Sequence, residues 1–592
     1  MLLHESRNNQ HPSFIRRHAV VFLFAILVGL LSVAPHLLAV HAIGSAYRGI
    51  PFLYLDNENE YLARMQEIVD GHPSIGSPFF YEYKNDLAVQ PPLGEWAYVL
   101  LSRATGRTLP QTLVLAKFLF PAVLSLLVYA FLWRLLPADR PRMRVLGSLT
   151  GGLLVTLGYD LLSIQDVLSV LRGQDIGVHL SLWTRPVNPI VGALLVFGYL
   201  NLLWEVLLNH RRWAVPFAGV LLGASVFYFF SWGVLISVSA ILVAILAMQT
   251  DWVGVKRIVL AMIVSFVVSA PYWVSTLSSV SGEAGRALAL RNGMFFTHAP
   301  LLNKTLLVAL VVFVLASIYL VRRGTAWREF VREPWWLISL SLLLGGLWAL
   351  NQQIVTGRMI WPYHFVQYTK PFAMIVVIVV LIRAVACWPR AVTASAFLFS
   401  AFVLLQAGTA AATYRSVLSH FRERQNDSAL GVWLNVNAPK DCVVLAKESD
   451  EHLPRFFIPA FTHCNTYISS WVFSGVPLER VRHNYFIYLR MNGVTADNVR
   501  AYMREHPHYV RGYFFEDWQQ LFATTSDAWF SAKVEELSHA YGDFVHGDFH
   551  SQLRQYRLDY LVTEERFDAK QQAFYGITKE LGHTEKNYIY AF

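Results

Sequence analysis

About eleven stretches of this chain are apolar over a length that crosses a bilayer, and that leaves few folds open. In hydrocarbon the backbone must satisfy its own hydrogen bonds, so each stretch is expected as a helix. They lie near 19–41, 113–136, 145–162, 188–208, 214–230, 232–249, 257–276, 303–321, 335–350, 372–387 and 391–410. Of 592 residues, 55% are hydrophobic and 15% charged, against about 25% charged in soluble domains. The net charge of +9 then reads as basic cytoplasmic turns, not as a nucleic-acid surface.

The first apolar run follows Arg16 and Arg17. It is too long for the core of a cleavable signal and is expected to remain as an anchor. Basic residues set the orientation. With the N-terminus in the cytoplasm, the inner turns hold Arg134, Arg140, Arg142 and Arg144; Arg211 and Arg212; Lys256 and Arg257; Arg322, Arg323, Arg328 and Arg332; and Arg383 and Arg390. This expects an integral protein of the cytoplasmic (inner) membrane. Residues 1–411 form the multi-span part. An odd number of spans carries residues 412–592 to the outer face as an α/β or α+β domain, with strands near 442–446, 559–564 and 587–592. Cys442 and Cys464 fall in that domain, where a disulfide and two separate buried thiols both remain open.

The first outer loop, 42–112, contains "YLDNENEYLARMQEIVDGH". Asp56 or Asn57 is placed to cap a helix. Leu62, Met65 and Val69 give it one apolar stripe, Glu60 and Arg64 are an i,i+4 pair, and Gly71 ends it. Such a helix is expected to lie on the outer membrane surface. The plain reading of Asp56, Glu58 and Glu60 is a cap followed by a solvated first turn. Three further outer segments are also polar. They hold Asp166, Arg172, Asp175, His179 and Arg185; Glu283, Arg286, Arg291 and His298; and Gln352, Arg358, His364 and Lys370. Together they could line a cavity with carboxylates on one wall and arginines on another, and arginine suits phosphate. The plainer alternatives are snorkelling cations at Arg358 and Lys370 and aromatic packing at His364.

These segments together resemble the GT-C superfamily of membrane glycosyltransferases, in its bacterial form. The acidic first-loop motif with the helix after it, "TRPVNPI", "NQQIVTGRMIWPYHF" and the start of the tail, "ALGVWLNVNAPKDCVVLA", carry the resemblance. The acidic motif here is DNE where the family has D-x-D/E, and no WWDYG-like motif of the oligosaccharyltransferase type is present. The resemblance implies a multi-span catalytic core, an extracytoplasmic C-terminal domain and a polyprenyl-phosphate-linked sugar as donor. It implies Asp56 as the base that takes the proton of an acceptor hydroxyl. Glu58 would hold the acceptor, or a divalent cation (Mg2+ or Mn2+) together with Asp56 if the enzyme is metal-dependent; no cofactor is the other expectation. Arg358 and Arg185 would stabilise the departing lipid phosphate, with His364, Lys370, Glu60, Arg172 and Arg291 as further substrate contacts. Inversion at the anomeric carbon is expected.

The acceptor is a lipid, a glycan or a protein. Other functions stay open: a lipid or polysaccharide transporter, which needs ionisable groups or broken helices at mid-bilayer; a polymerase or ligase of lipid-linked saccharides; and a non-catalytic membrane scaffold. "GSLTGG" at 147–152 lacks the Walker lysine and opens a span, so no nucleotide site is read from it.

Overall fold

The computed structural model describes residues 14–53, 57–86, 91–161, 181–208, 211–279, 289–323, 326–385, 388–447, 457–469, 476–518, 520 and 527–592. In order, its larger helices before the tail are α1 (Phe14–Ile43), α2 (Asn57–Asp70), α3 (Leu93–Thr105), α4 (Leu109–Leu135), α5 (Pro141–Thr156), α6 (Ile190–Leu207), α7 (Ala214–Ala224), α8 (Phe229–Met248), α9 (Trp252–Ser279), α10 (Lys304–Arg322), α11 (Pro334–Asn351), α12 (Pro362–Ala384) and α13 (Pro389–Ala411). Eight of these, α1, α4, α6 and α8 to α12, are long and apolar enough to cross a membrane. The expected spans at 145–162, 214–230 and 391–410 are also helical, as α5, α7 and α13. They fall short of that standard for local reasons. Glycine, serine and threonine dilute the apolar run of α5, α7 has 11 residues, and the apolar run inside α13 is only Val392–Leu405.

Helix ends follow ordinary chemistry. α4 opens with a capping box, in which Thr108 accepts from the Gln111 amide and Gln111 reaches back to Thr108. α2 stops at Gly71, whose φ of 100° suits a residue without Cβ. One buried apolar cluster runs through the span bundle and takes in Leu62 and Met65 of α2.

The tail carries a five-stranded mixed sheet in the order β4-β3-β5-β7-β6. The strands are β3 (Val443–Lys447), β4 (Asn465–Thr466), β5 (Tyr560–Thr563), β6 (Lys579–His583) and β7 (Tyr588–Ala591). β3 runs parallel to both β4 and β5, and β7 is antiparallel to β5 and β6. Interior strand β3 reads "VVLAK", with its first four residues buried, as a strand covered on both faces should. Edge strand β6 alternates exposed and half-buried residues and carries charge, which discourages further pairing. Of the two readings of the cysteines, the disulfide is the one found: Cys442 and Cys464 are bonded, with Cα atoms 4.5 Å apart. The bridge spans a sequence separation of 22 residues, so removing it is expected to cost the tail about 3 kcal/mol. Denaturant unfolding of a Cys442→Ser/Cys464→Ser variant checks this, and an unchanged midpoint would mean the closure adds nothing.

The first long loop is built into the tail. Phe79 and Phe80 sit in the tail's main apolar cluster, and the Thr466 amide donates to the Phe79 carbonyl at 2.9 Å, which extends the sheet edge. The Arg480 guanidinium lies over the rings of Phe80, Tyr467 and Tyr556. Beside them Lys84 is 2% exposed and reaches Glu67 at 3.3 Å, Asp441 at 2.5 Å and Asn465 at 3.1 Å. His72 adds contacts to Asp441 at 3.2 Å and Asn85 at 3.1 Å. Asp441 and Asn465 each adjoin a bridged cysteine, so the disulfide holds both of Lys84's tail partners.

Burial lifts the Glu67 carboxyl from 4.5 to about 7, against the pull of Lys84 and His72 and with a push from Asp70. Between those values the folded chain keeps a proton that the unfolded chain has released. Stability from this group is therefore full below pH 4.5 and is lost as pH rises through 7. Buried His483, held down to about 3, works the other way, since its contribution is lost as pH falls. Comparison with Glu67→Gln separates the two. Wild type should lose stability relative to the variant between about pH 5 and about pH 7.5, read from unfolding midpoints. A pH-independent difference would overturn the assignment.

Candidate active site

α2 differs from the surface helix its pattern suggested. Its buried stripe is Leu62, Met65 and Ile68, while Val69 is 46% exposed. Its polar residues are covered as well: Glu58, Asn59, Glu60, Glu67 and Asp70 are all buried. A buried carboxylate needs a partner, and the chain supplies partners from far away. Glu58 meets Lys117 of α4 at 2.6 Å, and Lys117 also donates to the Phe52 carbonyl at 3.3 Å. Arg64 turns to Glu95 of α3 at 2.5 Å, in place of a simple Glu60–Arg64 pair. The expected solvated first turn is therefore a buried, charge-paired one. Asp56 lies outside the described residues.

A second group gathers around Arg185. Its segment is pinned by three long-range bonds. Trp183 Nε1 donates to the Val155 carbonyl at 2.7 Å, the Val187 amide donates to the Tyr98 hydroxyl at 3.3 Å, and the Tyr368 hydroxyl donates to the Pro189 carbonyl at 3.2 Å. Arg185 is near enough to Tyr61 of α2, to Tyr228, and to Tyr363 and His364 of α12 to act electrostatically on each. Tyr61 also hydrogen-bonds Asn188, and burial pushes its phenol up while Arg185 pulls it down. Arg185 Nε and His364 Nδ1 are both buried without a hydrogen-bond partner. The His364 ring packs edge-on against Phe230 at 4.8 Å and against Trp361 at 5.1 Å. Its aromatic setting is thus the packed one, with one nitrogen left over.

The remaining candidates separate. Lys370 donates to the Tyr159 carbonyl and lies 4.3 Å over the Tyr159 ring. Arg358 is exposed at the start of strand β2 (Arg358–Ile360), which pairs antiparallel with β1 (Met294–Phe296). Arg291 serves the tail: it donates to the Tyr513 carbonyl at 3.2 Å and lies 5.0 Å from the Phe515 ring, and burial lowers its affinity for its proton. Glu60 is buried on α2. Arg172 lies outside the described residues, as do Asp166, Asp175, His179, Glu283 and Arg286.

The structure brings in Lys117, Glu95, Tyr61 and Tyr228, which the sequence reading passed over. Lys117 had a signal: it stands in the apolar run "LVLAKFLF", where an ionisable residue is expensive and seldom idle. Glu58 fits a divalent cation poorly, because the ammonium of Lys117 already neutralises it at 2.6 Å. Among the described residues, Cys442, His463 and Cys464 are the three metal-binding side chains that cluster, but both sulfurs are bonded to each other.

No protein-family model matches the chain, and no curated protein does. Among solved structures it is similar to the archaeal oligosaccharyltransferase AglB from Archaeoglobus fulgidus in complex with an inhibitory peptide and a dolichol-phosphate, with a TM-score of 0.45 and 14% identity over 93% of this chain and 70% of that one. It is also similar to ArnT from Cupriavidus metallidurans bound to undecaprenyl phosphate, with a TM-score of 0.43 and 11% identity over 98% of each chain.

Proposed function

We propose that this chain is a GT-C-type membrane glycosyltransferase that moves a sugar from a polyprenyl-phosphate donor to a hydroxyl acceptor on a lipid, a glycan or a protein. The observation that carries the reading is the Arg185 group: a guanidinium nitrogen and an imidazole nitrogen, both buried and without partners, among tyrosines. Among the described residues no carboxylate pairs with Arg185. Burying such polar groups is costly unless a ligand completes them, and a lipid phosphate supplies the charge and the acceptor oxygens that the guanidinium lacks.

In the proposed reaction Asp56, just ahead of α2, takes the proton from the acceptor hydroxyl. The freed oxygen attacks the anomeric carbon with inversion. The bond from that carbon to the phosphate oxygen breaks, and the phosphate leaves with the electron pair. Arg185 meets that developing charge, the place where a positioned donor has the greatest effect on rate. Glu58 and Lys117 hold the α2 end in place. We assign no metal to Glu58. Reading the basic turns as cytoplasmic puts the proposed reaction on the opposite face. Lys117 is the kind of intramembrane charge a transporter uses, but here it is held by Glu58 and the Phe52 carbonyl.

The test is transfer from a radiolabelled polyprenyl-phosphate-sugar pool to a membrane extract, by purified wild type and equally folded Asp56→Asn, with and without EDTA. Wild-type transfer that collapses by at least about 10²-fold in the variant is expected, with EDTA having no effect. Equal transfer by both proteins would return Asp56 to a helix cap. Loss with EDTA would restore the metal.

A further inference from the structure

Strands β1 and β2 form a two-stranded ribbon in which Phe295 faces Met359 and Phe296 faces Arg358. The ribbon joins the segment before α10 to the segment before α12, and both segments reach the tail. Arg291 grips the Tyr513 carbonyl, and Trp361 lies 5.4 Å from Trp518, ring to ring. Trp361 can take that position because residue 293 is glycine. At φ 78° a Cβ there would run into the Trp361 indole nitrogen. Between the ribbon and the tail is a cleft of about 550 Å³ lined by Leu290, Phe295, Phe296, Thr297, Met359 and Asp517. That volume is within the roughly 300–1,000 Å³ of small-molecule sites.

Met359 of the cleft stands two residues before Trp361 and five before His364. Trp361 is in ring contact with His364 on one side, at 5.1 Å, and with Trp518 on the other. The walls combine two phenylalanine rings and a methionine with one carboxylate and one hydroxyl. A pyranose matches this combination. Its flat C–H face packs on an aromatic ring, and its hydroxyls donate to a carboxylate and exchange bonds with a threonine. An anionic lipid phosphate would be repelled by Asp517.

We propose that this cleft binds a saccharide, the sugar portion of the acceptor, which makes the acceptor a glycan, whether free or lipid-linked. The proposal rests on the transferase reading for the word acceptor, while the binding itself does not. Asp517 and the Phe295 ring carry recognition, and the close approach of Trp361 to Gly293 ties the ribbon to the segment that bears His364.

The experiment uses the full chain in detergent and needs no donor. Intrinsic tryptophan fluorescence, which includes Trp361 and Trp518, is titrated with soluble oligosaccharides of glucose, galactose, mannose, rhamnose and N-acetylglucosamine, and with a tripeptide pool. Saturable binding of at least one saccharide is expected, weakened about tenfold or more in Asp517→Asn and in Phe295→Ala. Phe295→Tyr, which keeps a ring, should retain it. In the transfer assay the acceptor KM should rise by a similar factor in the first two variants while the donor KM holds. Binding of the peptides alone, or saccharide binding indifferent to both variants, would overturn the proposal. A chain that binds sugars through these residues yet transfers none keeps the cleft and sinks the transferase reading. A chain that transfers with an acceptor KM blind to both variants does the reverse.

Discussion

Arg185→Gln is expected to cut the transfer rate by about 10²–10³-fold while leaving the folded chain as stable as wild type or more so. The two halves of this expectation share one cause. Arg185 Nε is buried without a partner, so the folded chain carries a desolvation cost that the smaller neutral amide relieves. A residue kept for packing would show the opposite, with stability falling and activity following it down. The measurements are initial rates with labelled donor and thermal unfolding of the same preparations. Loss should appear in kcat as well as in kcat/KM, because in the proposed reaction the charge opposite Arg185 develops as the phosphate departs. Arg185→Lys should recover little, since a point charge on a flexible stem does not reproduce the guanidinium fork. A variant that melts earlier and loses activity in proportion would move Arg185 from chemistry to structure.

Lys84→Met should have the largest effect on stability. It leaves Glu67 and Asp441 facing the place of a missing ammonium at a buried joint, and breaking such a pair typically costs about 3–5 kcal/mol. The first loop should then detach from the tail. Limited proteolysis would cut within residues 72–86, and the unfolding midpoint would fall. Adding Asp441→Asn should return part of the loss, because the stranded carboxylate is then gone, and the double-mutant cycle measures the coupling. Wild-type melting and an unchanged cleavage pattern in Lys84→Met would show that Phe79 and Phe80 hold the loop unaided.

The contrast between these two residues shows what could be read in advance. The spans were legible because a bilayer demands long apolar helices whatever surrounds them. Gly71 and the α2 start were legible because neighbouring residues set helix ends. Arg185 stood among the expected phosphate contacts by its residue type and its polar segment. Lys84 could not, since its partner Asp441 is 357 positions away and no local pattern joins them. The stripe of α2 failed similarly. Ile68 and Val69 are adjacent and equally apolar, and only the packed surroundings decide that Ile68 is 3% exposed and Val69 46%. Glu58 looked solvated because its counter-charge, Lys117, stands in another helix. The acidic motif was visible, but its burial and pairing were not.

The threading of Phe79, Phe80 and Lys84 into the tail also sets a timetable for making the protein. These residues leave the ribosome early, and Asp441, which receives Lys84, follows 357 positions later. At about 5–20 residues per second the wait is roughly 20–70 s. Throughout that interval two phenylalanines and a lysine destined for burial stand without their partners. A chaperone that shields the loop should therefore raise the yield of native chain. A stop codon anywhere before β5 should damage the loop at the other end of the sequence as surely as it damages the tail.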